Sequence, residues 1–350
     1  MGRIAKTGIA TIAGACVLPA LFAIPASAAT VSAPSDAVVV HPDARTPEAR
    51  ESIERYWTPE KMASIMQGRV PDPVKDGADK LPGQDRTKPS DGAVWGDGPV
   101  KSIGRLFMTT FMTDPDGKKF SVDRSCTGTV VSDPNSPSEK TVVTANHCIV
   151  SHPYGKDGQP GYPDWSRPEW NTNLYFVPGY RDGAKPHGGF TVNTTLATRA
   201  YTESGDAGED VAMLSMNPAA DGRQIGQITG TQKIAFDAPR KDGQFTYAFG
   251  YTSDYSGAPW LTGQLLGYCA GPASKNTDRP ELDHWGITCN MGKGSSGGPH
   301  LIDFDAATAT GTVVGVNSEK RPSSEESISD AASLGTTSRQ MYEQAQQPTQ

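Results

Sequence analysis

The sequence predicts an all-β protein, a sandwich or a pair of barrels, and three observations carry that expectation. Short β-rich runs recur from Trp95 almost to the end of the chain, separated by turn residues. Glycine and proline are abundant, 38 and 28 of 350 residues, which suits many tight connections. Amphipathic helical stretches are few. At this length the chain holds one large domain or two ordinary ones, with a substantial core.

The elements follow in order. Arg3 and Lys6 precede an apolar run from Gly8 to Ile24, and the small residues Ala26 and Ala28 in "PASAA" form an A-x-A site. That pattern reads as an export signal over residues 1–28. Pro19 and Pro25 interrupt the run and argue against a membrane span. Cys16 lies inside it, where a lipid-anchored cysteine would end it. No later stretch is long and apolar enough to cross a bilayer, so no membrane association is expected once the signal is removed.

Residues 29–95 differ in composition from the rest. Thr46 and Thr58 stand as caps before Pro47 and Pro59, predicting two helix starts. "VPDPVKDGADKLPGQDRTKPSDG" is then polar and rich in Pro, Gly and Asp, a linker composition. A short helical piece and a linker between a signal and a globular body suggest a propeptide; a permanent N-terminal arm is the alternative.

The strands come next. "IGRLFMTTF", "TGTVVS", "TVVTAN", "NLYFVPGY", "FTVNTTLATRAY" and "DVAMLSM" fall in residues 96–225, a first β unit. "QKIAFD", "QFTYAFGY", "LLGYCAG", "HWGITCN" and "GTVVGVNS" fall in residues 226–350, a second unit ending in "TSRQMYEQAQ", a short terminal helix. Four cysteines remain after the signal: Cys126, Cys148, Cys269 and Cys289. An even number in an exported chain reads as two disulfides, with three pairings open. Local pairing, Cys126–Cys148 and Cys269–Cys289, would close two short loops, each contributing about 3 kcal/mol. No C-x-x-C or clustered Cys/His spacing supports zinc.

The net charge of −7 and the lack of a basic run argue against a nucleic-acid partner. Candidate chemistry lies elsewhere. "GSSGGP", Gly294–Pro299, could present Ser296 on a tight turn, with the backbone N–H groups of Gly294 and Ser296 aimed at a developing oxyanion. A Gly/Ser loop alone is more often only a loop. His147 ends the apolar stretch "TVVTANHC", where a disulfide through Cys148 would hold a general base in place. A lone histidine beside a cystine is the plain alternative. Asp210 precedes the apolar "VAML", where a carboxylate at a strand mouth can accept an imidazole N–H.

In the order His, Asp, Ser, these three motifs resemble those of the trypsin/chymotrypsin-like serine endopeptidases, in particular secreted bacterial members near the glutamyl endopeptidases. "CTGTVVS…TVVTANHC" is similar to the family's cystine-closed histidine loop, "DVAML" to its aspartate strand and "GSSGGP" to its nucleophile loop. The resemblance implies two six-stranded antiparallel β-barrels with the site between them. It also implies His147 as base, Asp210 as its orienting acid, Ser296 as nucleophile, and an oxyanion hole from Gly294 and Ser296. A secreted, monomeric zymogen acting on protein or peptide substrates, with no metal or cofactor, is the corresponding expectation; no calcium site can be placed.

Two departures stand out. Ser295 occupies the position where many relatives carry the aspartate that pairs with a newly cut N-terminal amine, and a serine cannot form that ion pair. Asn290, six residues before Ser296, stands where a trypsin-like enzyme carries aspartate, so Arg/Lys preference is not supported. Asn317 and Ser318 in "VVGVNS" stand where the glutamyl enzymes carry a carboxylate-binding histidine, and are candidate substrate contacts together with Asn290.

"GSSGG" also fits the G-x-S-x-G elbow of α/β-hydrolases. That fold needs a later acid and histidine and a helix after the serine. Only His300 follows, four residues on, and Pro299 opposes a helix. A protease fold retained only for binding or adhesion is the alternative from a different class.

Overall fold

The computed structural model describes residues 1–2, 36–65, 88–96, 100–113, 118–153, 164–253, 262–321 and 327–347; the expected signal therefore lies almost wholly outside them. Before the first barrel come β1 (Val38–Pro42), α1 (Pro47–Tyr56), α2 (Pro59–Ser64) and β2 (Ser90–Val94). Then come β3 (Ile103–Thr113), β4 (Lys119–Ser132), β5 (Thr141–Thr144), the ribbon β6 (Val150–Ser151) and β7 (Glu169–Trp170), β8 (Thr172–Pro178), β9 (Phe190–Thr198), α3 (Arg199–Ser204) and β10 (Ala212–Met216). The second half holds α4 (Ile225–Thr229), β11 (Gln232–Ile234), β12 (Phe245–Gly250), β13 (Gly267–Pro272), β14 (Ser274–Lys275), β15 (His284–Thr288), β16 (Pro299–Asp305), β17 (Thr310–Lys320), β18 (Ile328–Ser333) and α5 (Thr336–Ala345).

The predicted double barrel is what forms. β4-β3-β8-β9-β10-β5 are hydrogen-bonded in sequence, and β5 pairs back onto β4, closing a six-stranded barrel. Closure removes the exposed sheet edges that an open sheet of these apolar strands would present. Every residue of β5, β9 and β10 is buried. The second unit runs β13-β12-β16-β17-β18-β15. A disulfide from Cys269 on β13 to Cys289, just past β15, staples the two ends of that ladder. β11 pairs in parallel with both β4 and β17 and joins the barrels into one sheet.

Composition alone sets the N-terminal segment apart, yet its described parts are built onto both barrels. Thr46 and Thr58 cap their helices as the sequence predicts, each side chain accepting the N–H three residues on. β1 adds to β9 from Val38↔Thr198 to Pro42↔Thr194. Trp57 is fully buried, its ring 5.3 Å from that of Phe107, and its Nε1 donates to the Asn173 carbonyl at 2.6 Å. Met62 is fully buried, and the Ile65 carbonyl accepts from buried Arg105. On the other side, β2 pairs with β13 and leads into Trp95, which packs against Phe249 and Tyr268. Trp57→Ala is expected to destabilise the chain by about 3–5 kcal/mol, read from its urea unfolding midpoint. A loss under about 1 kcal/mol would mean the arm is only loosely held.

Candidate active site

The site is assembled where the two barrels meet. β5 is followed by Ala145 and a single 3₁₀ turn, Asn146–Cys148, which carries His147. That turn is pinned from two sides. Cys148 is bonded to Cys126 on β4, and buried Asn146 donates from Nδ2 to Thr198 Oγ1 at 3.0 Å. With its apolar strand behind it and a covalent tie beside it, the histidine has little freedom to move.

Asp210 follows another 3₁₀ turn, Ala207–Glu209, and is 2 % exposed. Its Oδ1 accepts the His147 backbone N–H at 2.9 Å, and its Oδ2 lies 2.7 Å from His147 Nδ1. The Ser318 hydroxyl donates to the same Oδ2 at 2.6 Å. A carboxylate so placed accepts a hydrogen bond from Nδ1–H and so keeps the ring proton on Nδ1, which leaves Nε2 as a bare acceptor. Burial works against a charged ring here, but the Asp210 charge and hydrogen bond outweigh it, so the pKa of His147 is raised above the ordinary histidine value. An imidazole gripped in this way can accept a proton and be stabilised as the cation that results.

The loop before β16 supplies the remaining pieces. Gly294 has φ of +91°, and a Cβ there would collide with the Tyr251 carbonyl oxygen, so this turn needs glycine. Neighbouring groups hold the loop by its carbonyls. Lys293 O accepts from Ser253 N at 2.8 Å. Ser295 O accepts from Gly298 N at 2.9 Å and from Asn317 Nδ2 at 3.3 Å. In a planar trans peptide the C=O and the following N–H point in opposite directions. Fixing those two carbonyls into the protein therefore turns the N–H groups of Gly294 and Ser296 toward the cleft. Neither N–H has an acceptor among the described residues. Two unpaired N–H donors, two residues apart in the loop, are the kind of group a developing oxyanion requires. Thr127 ties the loop to the first barrel, its Oγ1 donating to Gly294 O and accepting Tyr251 N, both at 2.9 Å.

Ser295, the position of the missing aspartate, is bonded locally. Its Oγ donates to the Gly292 carbonyl at 2.7 Å, and Gly292 N donates to Thr252 Oγ1 at 2.8 Å. The loop thus holds its shape through hydroxyls and carbonyls, without an ion pair to an amine.

His147 and Ser296 line a common cleft of about 360 Å³, with the Cys126–Cys148 cystine, Tyr201 and Trp165 in its walls. Ser296 Oγ makes no hydrogen bond among the described residues and is free to approach a ligand. Both sulfurs beside His147 are spent in the cystine, so the Cys126–His147–Cys148 grouping has no thiolate to offer a metal.

A second hollow of about 290 Å³ also borders Ser296. Asn317 and Ser318 lie in its wall, between Met291–Lys293 and Ser329. Their polar groups are already engaged. Asn317 Oδ1 accepts from His300 Nε2 at 2.8 Å and from Ser329 Oγ at 3.1 Å, while the Ser318 hydroxyl serves Asp210. Burial pushes the His300 pKa down to about 3, with nearby Arg240 adding to the effect, so this ring is a neutral packing group. Asn290 lies outside that wall and bonds to β2, its Nδ2 donating to Asp91 Oδ2 at 3.1 Å.

Sequence reasoning missed several members of the site. Thr127 sits one residue after Cys126, yet nothing in "CTGT" marks its hydroxyl as the clamp on Gly294. The bond from Ser318 to Asp210 spans 108 residues and leaves no local signature. Met108, Met112 and Arg124 on the β3–β4 pair also reach the cleft.

No protein-family model matches the chain, and no curated protein matches it by sequence. Solved structures do. The protease Anisep from Arthrobacter nicotinovorans superposes with a TM-score of 0.54 at 30 % identity, covering 71 % of this chain and 96 % of its own. The thermostable serine protease AL20, from an extremophilic microorganism, matches with a TM-score of 0.54 at 26 % identity over 71 % of this chain and 97 % of its own. A Glu endopeptidase structure shares the fold at 17 % identity, with a TM-score of 0.50 over 73 % of this chain and 96 % of its own.

Proposed function

Because the chain belongs to the trypsin/chymotrypsin-like serine proteases, we propose that it is an exported endopeptidase that cleaves peptide bonds through an acyl-enzyme on Ser296. The observation that carries this reading is the His147 ring, held by Asp210 at 2.7 Å and sharing one cleft with Ser296. In the reaction Ser296 Oγ attacks the substrate carbonyl while His147 Nε2 takes its proton. The N–H groups of Gly294 and Ser296 bind the oxyanion. His147 then returns the proton to the leaving amine, and a water attacks the ester by the same route to free Ser296. Asp210 keeps the imidazole in the tautomer that exposes Nε2, and Ser318 keeps Asp210 oriented.

Two disulfides accord with an oxidising compartment outside the cytoplasm. Removal of residues 1–28 as a signal belongs to this proposal, as does a role for residues 29–95 as a pro-segment. Sequencing the N-terminus of the secreted protein tests both. The loop geometry around Ser295 favours activation that does not depend on a newly made amine.

A fluorophosphonate probe tests the chemistry. Covalent label is expected at Ser296, and Ser296→Ala should abolish it. Ser295→Ala, whose lost hydroxyl only reaches Gly292 O, should still label. Absence of label on the intact, folded protein would favour a binding protein that has kept the fold without the activity.

A further inference from the structure

We propose that the cleft continues past the Cys126–Cys148 cystine into a leaving-side subsite, built by Met108, Met112 and Arg124, that binds a carboxylate on the second or third residue after the scissile bond. This inference rests on the protease reading and specifies what that site selects.

The register of the β3–β4 pair puts these side chains on one face. Met108 lies directly opposite Arg124, Met112 opposite Phe120, and Leu106 opposite Cys126, so alternate residues share a side. Met108, Met112, Arg124 and Cys126 all line the cleft that holds Ser296 and His147. Asp123, one residue from Arg124, faces the other way, where Thr109 Oγ1 and Tyr56 donate to it and Lys61 pairs with it at 2.9 Å.

Arg124 is half-buried, and among the described residues its guanidinium meets no carboxylate; its Nη2 lies 3.0 Å from Met112 Sδ. The described cleft wall carries Arg124 and Lys293 and not one aspartate or glutamate, on a protein whose net charge is −7. A cationic cleft on an acidic protein draws in anionic ligands. A planar guanidinium with a methionine sulfur beside one of its nitrogens and no competing carboxylate suits a carboxylate that it can grip through two N–H groups.

Spacing sets the position. In the protease reading the hollow lined by Met291–Lys293 and Asn317–Ser318 is assigned to the acyl side, which leaves the cystine side for the departing segment. Arg124 is two residues along β4 from Cys126, or about 7 Å at the usual rise of a strand. An extended peptide leaving past the cystine covers that span in two residues. The carboxylate has two sources, an Asp or Glu side chain within a longer chain or the free C-terminus of a short one.

Internally quenched peptides that differ at one position, second or third after the scissile bond, test the subsite. Glu is expected over Gln by about tenfold in kcat/KM at one of the two positions, with Lys below Gln. The ratio between two substrates is read within each variant, so a general loss of activity does not obscure it. Arg124→Gln should bring the Glu/Gln ratio close to one, Arg124→Lys should retain part of it, and Arg124→Glu should invert the order in favour of Lys. Peptides ending at the preferred position as a free acid or as an amide separate the two sources: an acid-over-amide preference assigns the C-terminal carboxylate, and an equal rate the side chain. Equal cleavage of Glu and Gln peptides at both positions, together with equal rates for acid and amide peptides ending at either, would overturn the inference while leaving the protease reading intact, as would a preference that survives in Arg124→Gln. Failure to cleave any peptide, together with failure to label Ser296, would overturn both.

Discussion

Ser296→Ala and His147→Ala are each expected to lower kcat by roughly 10⁴–10⁶, as loss of a member of such a catalytic set does elsewhere. The double variant should fall little below either single one, because nucleophile and base act on the same proton and neither works without the other. KM should change far less, since neither side chain contributes much ground-state binding energy. Steady-state hydrolysis of a peptide taken from a library screen provides the measurement, on preparations cleared of wild-type enzyme. Turnover near the wild-type rate in either variant would remove Ser296 or His147 from the mechanism.

Asp210→Asn should follow closely, with kcat reduced by about 10⁴. Asp210 accepts from the His147 backbone, the His147 ring and the Ser318 hydroxyl. An amide in its place can turn an N–H toward Nδ1, and the ring proton then moves to Nε2, the atom that must stay bare. The pH profile adds an independent sign. The His147 pKa is raised, so kcat/KM should fall on the acid side with a midpoint above the ordinary histidine value, because only the neutral ring can act as base. In Asp210→Asn the residual activity should show that midpoint displaced downward, since burial remains and the stabilising charge is gone. For stability the sign runs the other way. A raised native pKa contributes fully below the unfolded value of about 6.5, and the contribution is lost as pH rises through the native pKa. An acid limb unmoved by the substitution would exclude this coupling.

Some strands were legible because their residues alternate or are uniformly apolar. β5, β10 and β12 coincide with "TVVT", "AMLSM" and "FTYAFG". Others were hidden by charges whose partners lie far away in sequence. β18 reads "ISDAAS", an unpromising strand until Asp330 is seen fully buried between Arg321 at 2.6 Å and Asn276 at 2.8 Å. The outer half of β4, "KFSVDR", carries Asp123 and Arg124 on opposite faces, one serving the N-terminal arm and the other the cleft. The arm was misleading in composition for the same reason: Trp57 and Met62 are two apolar residues in a polar stretch, yet both are fully buried against the first barrel.

By itself the sequence determined the strand-rich double unit, the even set of four cysteines that calls for two disulfides, and the three short motifs that hold His147, Asp210 and Ser296. These are local properties: periodicity, turn chemistry and cysteine spacing are written in neighbouring residues. Only the tertiary structure decided that His147 and Asp210 share two hydrogen bonds across 63 residues, that the Ser318 hydroxyl donates to Asp210 across 108 residues, and that Arg124 opens onto the cleft. Barrel closure brings together side chains from strands far apart in the chain, and a contact made that way depends on register and packing, which no short stretch of sequence encodes.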